Sequence, residues 1–407
     1  MMMENSISKA KNALVVFPTR PEDAPTVAQL KIHFCGQVVE TPSELPAATN
    51  SLRVYACGNI EKLAGELPSA LIIQELSYGY EALPGAADRL VSLGQVPVLV
   101  HEAGVYFRNL FGTEDYFNQV QAEHVFQELT ESTKPSKALR KGIYLTEVTK
   151  EEGEEAEERL RFRLLRCSSN LSGPTANYRS ADRAIMCRLN EAVRHVFDQE
   201  TELNHVLAQV YTNTKGADNN GKEVKAKIKA HSDKTKDMPA DGLIAFCTFY
   251  DPAGFQSLVP SAEDPYDWVY KHKSGLTRLV FKLKQGVEDS SLAKEFSVTL
   301  YPNSAFVIPL STNRLYTHEI RPSMLNVDLI PVRMGYVARC SHLEAIYQHN
   351  QTYIEEGGQW LKLEPMTVEP MRDLKTAYYQ ENSTEQRVEY GKVAFSMNSG
   401  DYEKPIL

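Results

Sequence analysis

Residues 222–238 read KEVKAKIKAHSDKTKDM: six lysines, with the tripeptide His231-Ser232-Asp233 among them. An imidazole and a carboxylate two positions apart on an extended backbone project from the same face, so His231 and Asp233 can fill two adjacent positions on one ion. Mixed nitrogen and oxygen donors suit Fe(II), Mn or Zn, and one further histidine would complete a triad that leaves three coordination positions open. His318, in LYTHEIRP, lies on an expected strand and is the candidate. His272 reads as loop, and His342 and His349 fall at or beyond the last expected strand. Further on, Arg333 and Arg339 stand an even number of positions apart in RMGYVAR, which places both guanidinium groups on one strand face. On an inner face they need anionic partners, and a dicarboxylate bound to the ion would supply one by bidentate pairing. Lys229 and Lys234, flanking the tripeptide, are candidates for holding a substrate anion.

Each of these residues also has a plainer reading. HSD in a lysine-rich run suits an exposed turn, and His318 suits a strand histidine bonded to backbone. Arg333 and Arg339 could pair instead with Asp328 or Glu319, and Tyr211 could be a core aromatic.

Positioning such a group requires strands. In 223–231 the apolar Val224, Ala226, Ile228 and Ala230 alternate with lysines, the period of a half-buried strand ending at His231. Similar β-rich stretches occupy 206–213, 243–251, 277–284, 296–302, 304–310, 315–322 and 332–341, separated by Gly, Pro, Asn and Ser. Eight strands so close together suggest a sandwich or jelly roll. Before them, Ile185, Met186, Leu189, Val193 and Val196 recur at helical spacing. Further upstream, ALVVF (13–17), LRVYACG (52–58), ALIIQEL (70–76) and VPVLVHEAG (96–104) alternate with helical stretches and read as α/β. The acidic run TKEEGEEAEER (149–159) reads as a mobile hairpin tip or linker. After the strands, LEAIYQHNQTYIEEGG (343–358) reads as a helix, and the last thirty or so residues as poorly ordered.

Across about 170–341 the sequence resembles the Fe(II)/2-oxoglutarate-dependent dioxygenases, and among them the AlkB-like branch, through QVY, HSD, YTH and RMGYVAR. The resemblance implies an α+β protein with a double-stranded β-helix (jelly-roll) core and an N-terminal α/β extension. It implies Fe(II) held by His231, Asp233 and His318, with 2-oxoglutarate as cosubstrate and dioxygen as oxidant. Gln209 and Tyr211 would help hold the cosubstrate, Arg333 its remote carboxylate, and Arg339 would lie near the chelating carboxylate. Gln209 stands where the branch has Asn, and Gly335 stands at the Asn position of its arginine motif. The expected division is 1–165 as the extension, 166–345 as the core and 346–407 as a helical and irregular C-terminal segment.

Composition narrows the substrate. A chain of 407 residues with 42% hydrophobic content buries a real core, and a formal charge of -9 with pI near 5.7 argues against coating duplex nucleic acid. Six scattered cysteines form no CxxC and read as reduced, mostly buried thiols. The N-terminal apolar run is too short for a signal peptide or a membrane span, so the expected location is intracellular. The sequons at Asn170, Asn350 and Asn382 accordingly carry little weight. The preferred activity is hydrogen abstraction from a small carboxylated, amino-acid-derived metabolite, giving hydroxylation, desaturation or ring closure. Nucleic-acid demethylation and protein or peptide hydroxylation are the alternatives. No membrane and no obligate protein partner is expected.

Overall fold

The computed structural model describes residues 4–46, 52–63, 69–130, 137–152, 158–166, 171–215 and 223–407. Cys167, Asn170, Lys222 and the tip of the acidic run (153–157) lie outside them. The protein is a mixed α+β molecule rich in strands, with several sheets.

Eight strands divide between two of these sheets: β1 (His205–Tyr211), β2 (Ile228–His231), β3 (Leu243–Tyr250), β4 (Arg278–Leu283), β5 (Glu295–Thr299), β6 (Ser304–Pro309), β7 (Tyr316–Arg321) and β8 (Arg333–Arg339). The larger sheet contains the order β1-β8-β3-β6 and the smaller one β2-β7-β4-β5, every neighbouring pair antiparallel. A small hairpin (Thr214–Lys215 with Glu223–Val224) precedes β2, and a three-stranded insert within 259–274 separates β3 from β4. Alternation sorts the side chains of β3. Ile244 and Phe246 face the smaller sheet, while Ala245, Cys247 and Phe249 face the layer beneath helix α1 (Ser180–Arg194). Between the sheets Phe281 stacks on Phe296 at 4.8 Å and meets Phe306 edge-on at 5.7 Å. Each such ring, fully buried, is worth about 1.5–3 kcal/mol.

The α1 helix lies where the heptad-like spacing places it, with Ile185, Met186, Leu189 and Val193 buried. Residues 12–91 form a separate five-stranded parallel sheet. Its internal strand Asn12–Val16, between Gln37–Val39 and Arg53–Asn59, is buried throughout, as a parallel strand covered on both faces must be. VPVLVHEAG does not join it. Val98–Val100 turns back through His101 and Glu102, both at positive φ, and pairs with Gly104–Phe107 on the edge of the larger sheet.

Residues 343–358 are not helical. They form two strands of a hairpin, Leu343–Gln348 and Gln351–Glu356, and a third strand, Gln359–Lys362, follows. The two-residue turns, His349-Asn350 and Gly357-Gly358, hold all four residues at positive φ. That is the geometry tight hairpins require, and HN and GG are its signals. The chain then forms helix α2 (Val368–Ser383), and its end is anchored. The Asn177 N–H donates to the Ile406 carbonyl at 2.7 Å, and Arg179 donates to the carbonyl of Leu407. Among the described residues no helix is long and apolar enough to cross a membrane.

Candidate metal centre

Strands β2 and β7 are neighbours, and His231 stands directly opposite His318. Regular alternation along β2 would put His231 on the face of the exposed lysines. A register shift between Ile228 and His231 inserts one extra residue against β7, so both join the inward face occupied by Ile320 and His318. The imidazole centroids lie 4.4 Å apart. The chain leaves the sheet at His231, and Ser232 and Asp233 are both buried, so the expected two-residue alternation does not carry Asp233 inward. A non-ladder loop does.

That loop has lost its strand partners, and its buried backbone groups are satisfied by side chains. Asn313, 1% exposed on the short helix Leu310–Leu315 that precedes β7, accepts from the Asp233 N–H at 2.8 Å and donates to the Asp233 carbonyl at 2.8 Å. Ser232 donates its N–H to Asn382 at 2.6 Å and its hydroxyl to the Tyr316 carbonyl at 3.1 Å. The Thr235 N–H donates to Glu381 at 3.1 Å.

The result is a convergent donor set. His231 Nε2 lies 3.6 Å and His318 Nε2 3.8 Å from Asp233 Oδ1, and one donor atom from each residue lies within 4.8 Å of the others. His231 Nδ1 is 2.9 Å from the Lys229 carbonyl, which assigns the proton to Nδ1 and turns the Nε2 lone pair toward the other two ligands. The second carboxylate oxygen, Asp233 Oδ2, accepts from Arg339 Nε at 2.7 Å and stands 2.7 Å from its Nη2. Burial alone would raise the Asp233 carboxyl, but Arg339 and the neighbouring imidazoles outweigh it and hold it well below the usual range. Burial, then the nearby His231, push His318 down to about 3, so its imidazole is neutral. Two imidazole nitrogens and one ionised carboxylate oxygen are a donor set for a divalent first-row metal ion. His231 is the accessible corner, its side chain 37% exposed against 4% for His318.

Arg333 lies on the same inward face of β8 as Arg339, beyond Gly335 and Val337. Its guanidinium stacks on Tyr211, 4.1 Å from the ring centroid, and the Tyr211 hydroxyl donates to Gln209 at 3.0 Å. A Cβ on Gly335 would sit 3.0 Å from Arg333 Nη1 and 3.2 Å from the Tyr211 ring. The bare glycine therefore lets the guanidinium fold back along the strand toward the ligands. Arg333 is 4% exposed, and among the described residues its Nη2 has no partner. The alternative acidic partners are engaged elsewhere, Asp328 with Lys215 and Glu319 with Arg321 and Lys282. Thr248, fully buried and paired across the sheet with Gly335, also carries an unpartnered hydroxyl.

The lysines have diverse fates. Lys225 donates to the carbonyls of Ser323 and Leu325, Lys234 covers the Tyr378 ring at 4.3 Å, and Lys236 is buried against Asp237. Lys227 and Lys229 are exposed. Sequence reasoning missed Asn313, Thr248, Glu381 and Asn382. Only the placement of Asn313 three residues before YTH offered a local signal.

No family model matches the chain, and no curated protein matches it. Among solved structures, one described as the structure of OsALKBH1 is 11% identical, with a TM-score of 0.30 over 58% of this chain and 97% of its own. A likeness at that level carries no weight for this chain, whose function must be read from its own side chains.

Proposed function

We propose that the chain is an Fe(II)- and 2-oxoglutarate-dependent oxygenase with a jelly-roll core. What carries this reading is one interior that holds both a two-histidine, one-carboxylate donor set and, on the same strand face as the arginine bracing that carboxylate, a buried guanidinium without an anion. Such a cation is costly unless a carboxylate completes it. In this reading His231, Asp233 and His318 hold the ion, Arg339 keeps Asp233 ionised and bound through one oxygen, and Arg333 receives the remote carboxylate of 2-oxoglutarate. Tyr211, Gln209 and Thr248 line its path. The ion, when bound, supplies dioxygen activation for hydrogen abstraction. Residues 166–345 carry the core, 1–165 extend it and 346–407 brace it.

The substrate favoured is a small carboxylated metabolite. The exposed lysines beside the site, Lys227 and Lys229, are too few for a strand-binding surface, and the chain is acidic. Lys229 stands on the solvent face of β2, away from the inward-turned His231, and Lys234 rests its ammonium on Tyr378, so neither is assigned the substrate carboxylate.

The test is anaerobic. Fe(II) with 2-oxoglutarate should give a visible charge-transfer absorption that neither gives alone. His231→Ala should abolish it, together with succinate release in air. An absent band, or unchanged succinate release in that variant, would overturn the assignment. Salt-sensitive binding to single-stranded DNA or RNA would move the substrate to nucleic acid.

A further inference from the structure

The backbone that carries Asp233 is gripped from outside by one helical turn lying far along the chain. We propose that Glu381 and Asn382, at the end of α2, form a latch that positions the metal ligands, so that metal affinity and docking of the C-terminal helix are coupled. This rests on the reading of His231, Asp233 and His318 as ligands.

Asn382 Oδ1 accepts from the Ser232 N–H at 2.6 Å, the residue between two ligands, while its Nδ2 donates to the Tyr378 carbonyl at 3.1 Å. The second bond fixes which end of the amide faces the loop. Glu381 accepts from the Thr235 N–H at 3.1 Å and from the hydroxyls of Thr235 and Tyr390. These N–H groups belong to a segment that is neither helix nor ladder, so the helix supplies acceptors the loop has nowhere else.

The same turn is tied to the other half of the site. Lys284, immediately after β4 and 5% exposed, donates to the Glu381 carbonyl at 2.6 Å and the Thr384 carbonyl at 3.1 Å. An ammonium there satisfies terminal carbonyls and complements the negative end of the helix dipole. Strand β4 is the hydrogen-bonded neighbour of β7, with Phe281 opposite His318. One helix end thus joins the loop bearing His231 and Asp233 to the sheet bearing His318. A sugar on Asn382 would displace this bond, so that sequon is structural. Coupling is reciprocal: if docking of α2 organises the ligands, an ion must stabilise the docked helix.

Co(II) is a suitable probe, followed by its visible absorption on the full chain. Asn382→Leu should raise the Co(II) dissociation constant roughly 10- to 100-fold, the range for losing a group that orients a ligand. Asn382→Asp, which keeps an acceptor oxygen for Ser232, should bind close to the wild-type affinity. In the wild type, Co(II) should slow amide exchange across α2. Wild-type affinity in Asn382→Leu, or identical α2 exchange with and without Co(II), would overturn the latch. If Asn382→Leu does not fold, the exchange measurement decides. Equal Co(II) binding by wild type and His231→Ala would instead remove the metal reading, and the latch with it.

Discussion

At the scale of single residues, the two arginines of β8 do opposite things. Arg339 has its anion, Asp233, and its contribution is to keep that carboxylate charged and aimed. Arg333 has an aromatic face and, among the described residues, no anion. Hydrogen bonds to a charged group are worth about 1.5–3 kcal/mol, so Arg333→Met should raise the KM for 2-oxoglutarate roughly 10- to 100-fold with Co(II) affinity unchanged. Arg333→Lys should recover little, because a point charge cannot form the two-pronged pairing. Gly335→Ala should have the same signature at smaller amplitude, since its Cβ would press on Arg333 Nη1 and the Tyr211 ring. Steady-state kinetics beside Co(II) titration separates these outcomes. A fall in metal affinity in Arg333→Met, or an unmoved KM, would place the cosubstrate elsewhere.

At the scale of elements, what was legible in the sequence is what is local. The β-rich composition of β3 and β7, the helical spacing of α1 and the common face of Arg333 and Arg339 follow from local composition and backbone period alone. The chain opposite a residue is not local. Nothing in AKIKAHSD reveals the extra residue that turns His231 inward, because a bulge is defined against its partner strand. Asn313, Glu381 and Asn382 were equally invisible as holders of a loop elsewhere in the chain. In 343–358 the apolar residues allow a helix, but HN and GG at two-residue spacing between strands were the stronger signal. The bulge is testable. Deleting Ala230 removes the extra residue and leaves His231 two positions after Ile228, still facing inward, so Co(II) affinity should stay close to the wild type's. Deleting Lys229 and Ala230 together puts His231 directly after Ile228, on the opposite face, and should lower that affinity at least ~100-fold. The far-UV circular dichroism should stay that of the wild type. Retained affinity in the double deletion, or a ~100-fold loss in the single one, would mean that the backbone period does not aim the ligand.

At the scale of the whole molecule, the site adds buried imidazoles to a fold that must keep them neutral. Burial, and next the Arg339 guanidinium, push His205 down to about 3, and His318 is held at about 3 as well. Both are at 6.5 in their ordinary state, so between pH 6.5 and 3 the unfolded chain binds protons that the folded chain refuses. Stability therefore rises with pH through that window and is lost on acidification. Asp401 opposes this, since burial pushes it up to about 6 from 3.8 and makes the folded chain the better proton binder between those values. His195, pushed down to about 4 chiefly by burial, refuses protons together with His205 and His318, while Glu381 and Asp267, raised by burial, side with Asp401. His205 packs on Tyr144 at 5.2 Å, opposite Arg339 across the sheet, and His205→Phe removes one refused proton without touching a ligand. In metal-free protein, urea unfolding at pH 4, 5 and 6 should show the variant's stability falling less steeply than the wild type's, by about 1.4 kcal/mol per pH unit. Parallel slopes would mean that His205 is protonated in the fold. A second cation beside Arg339 would then weaken its hold on Asp233, and the carboxylate would lose the support that keeps it a ligand.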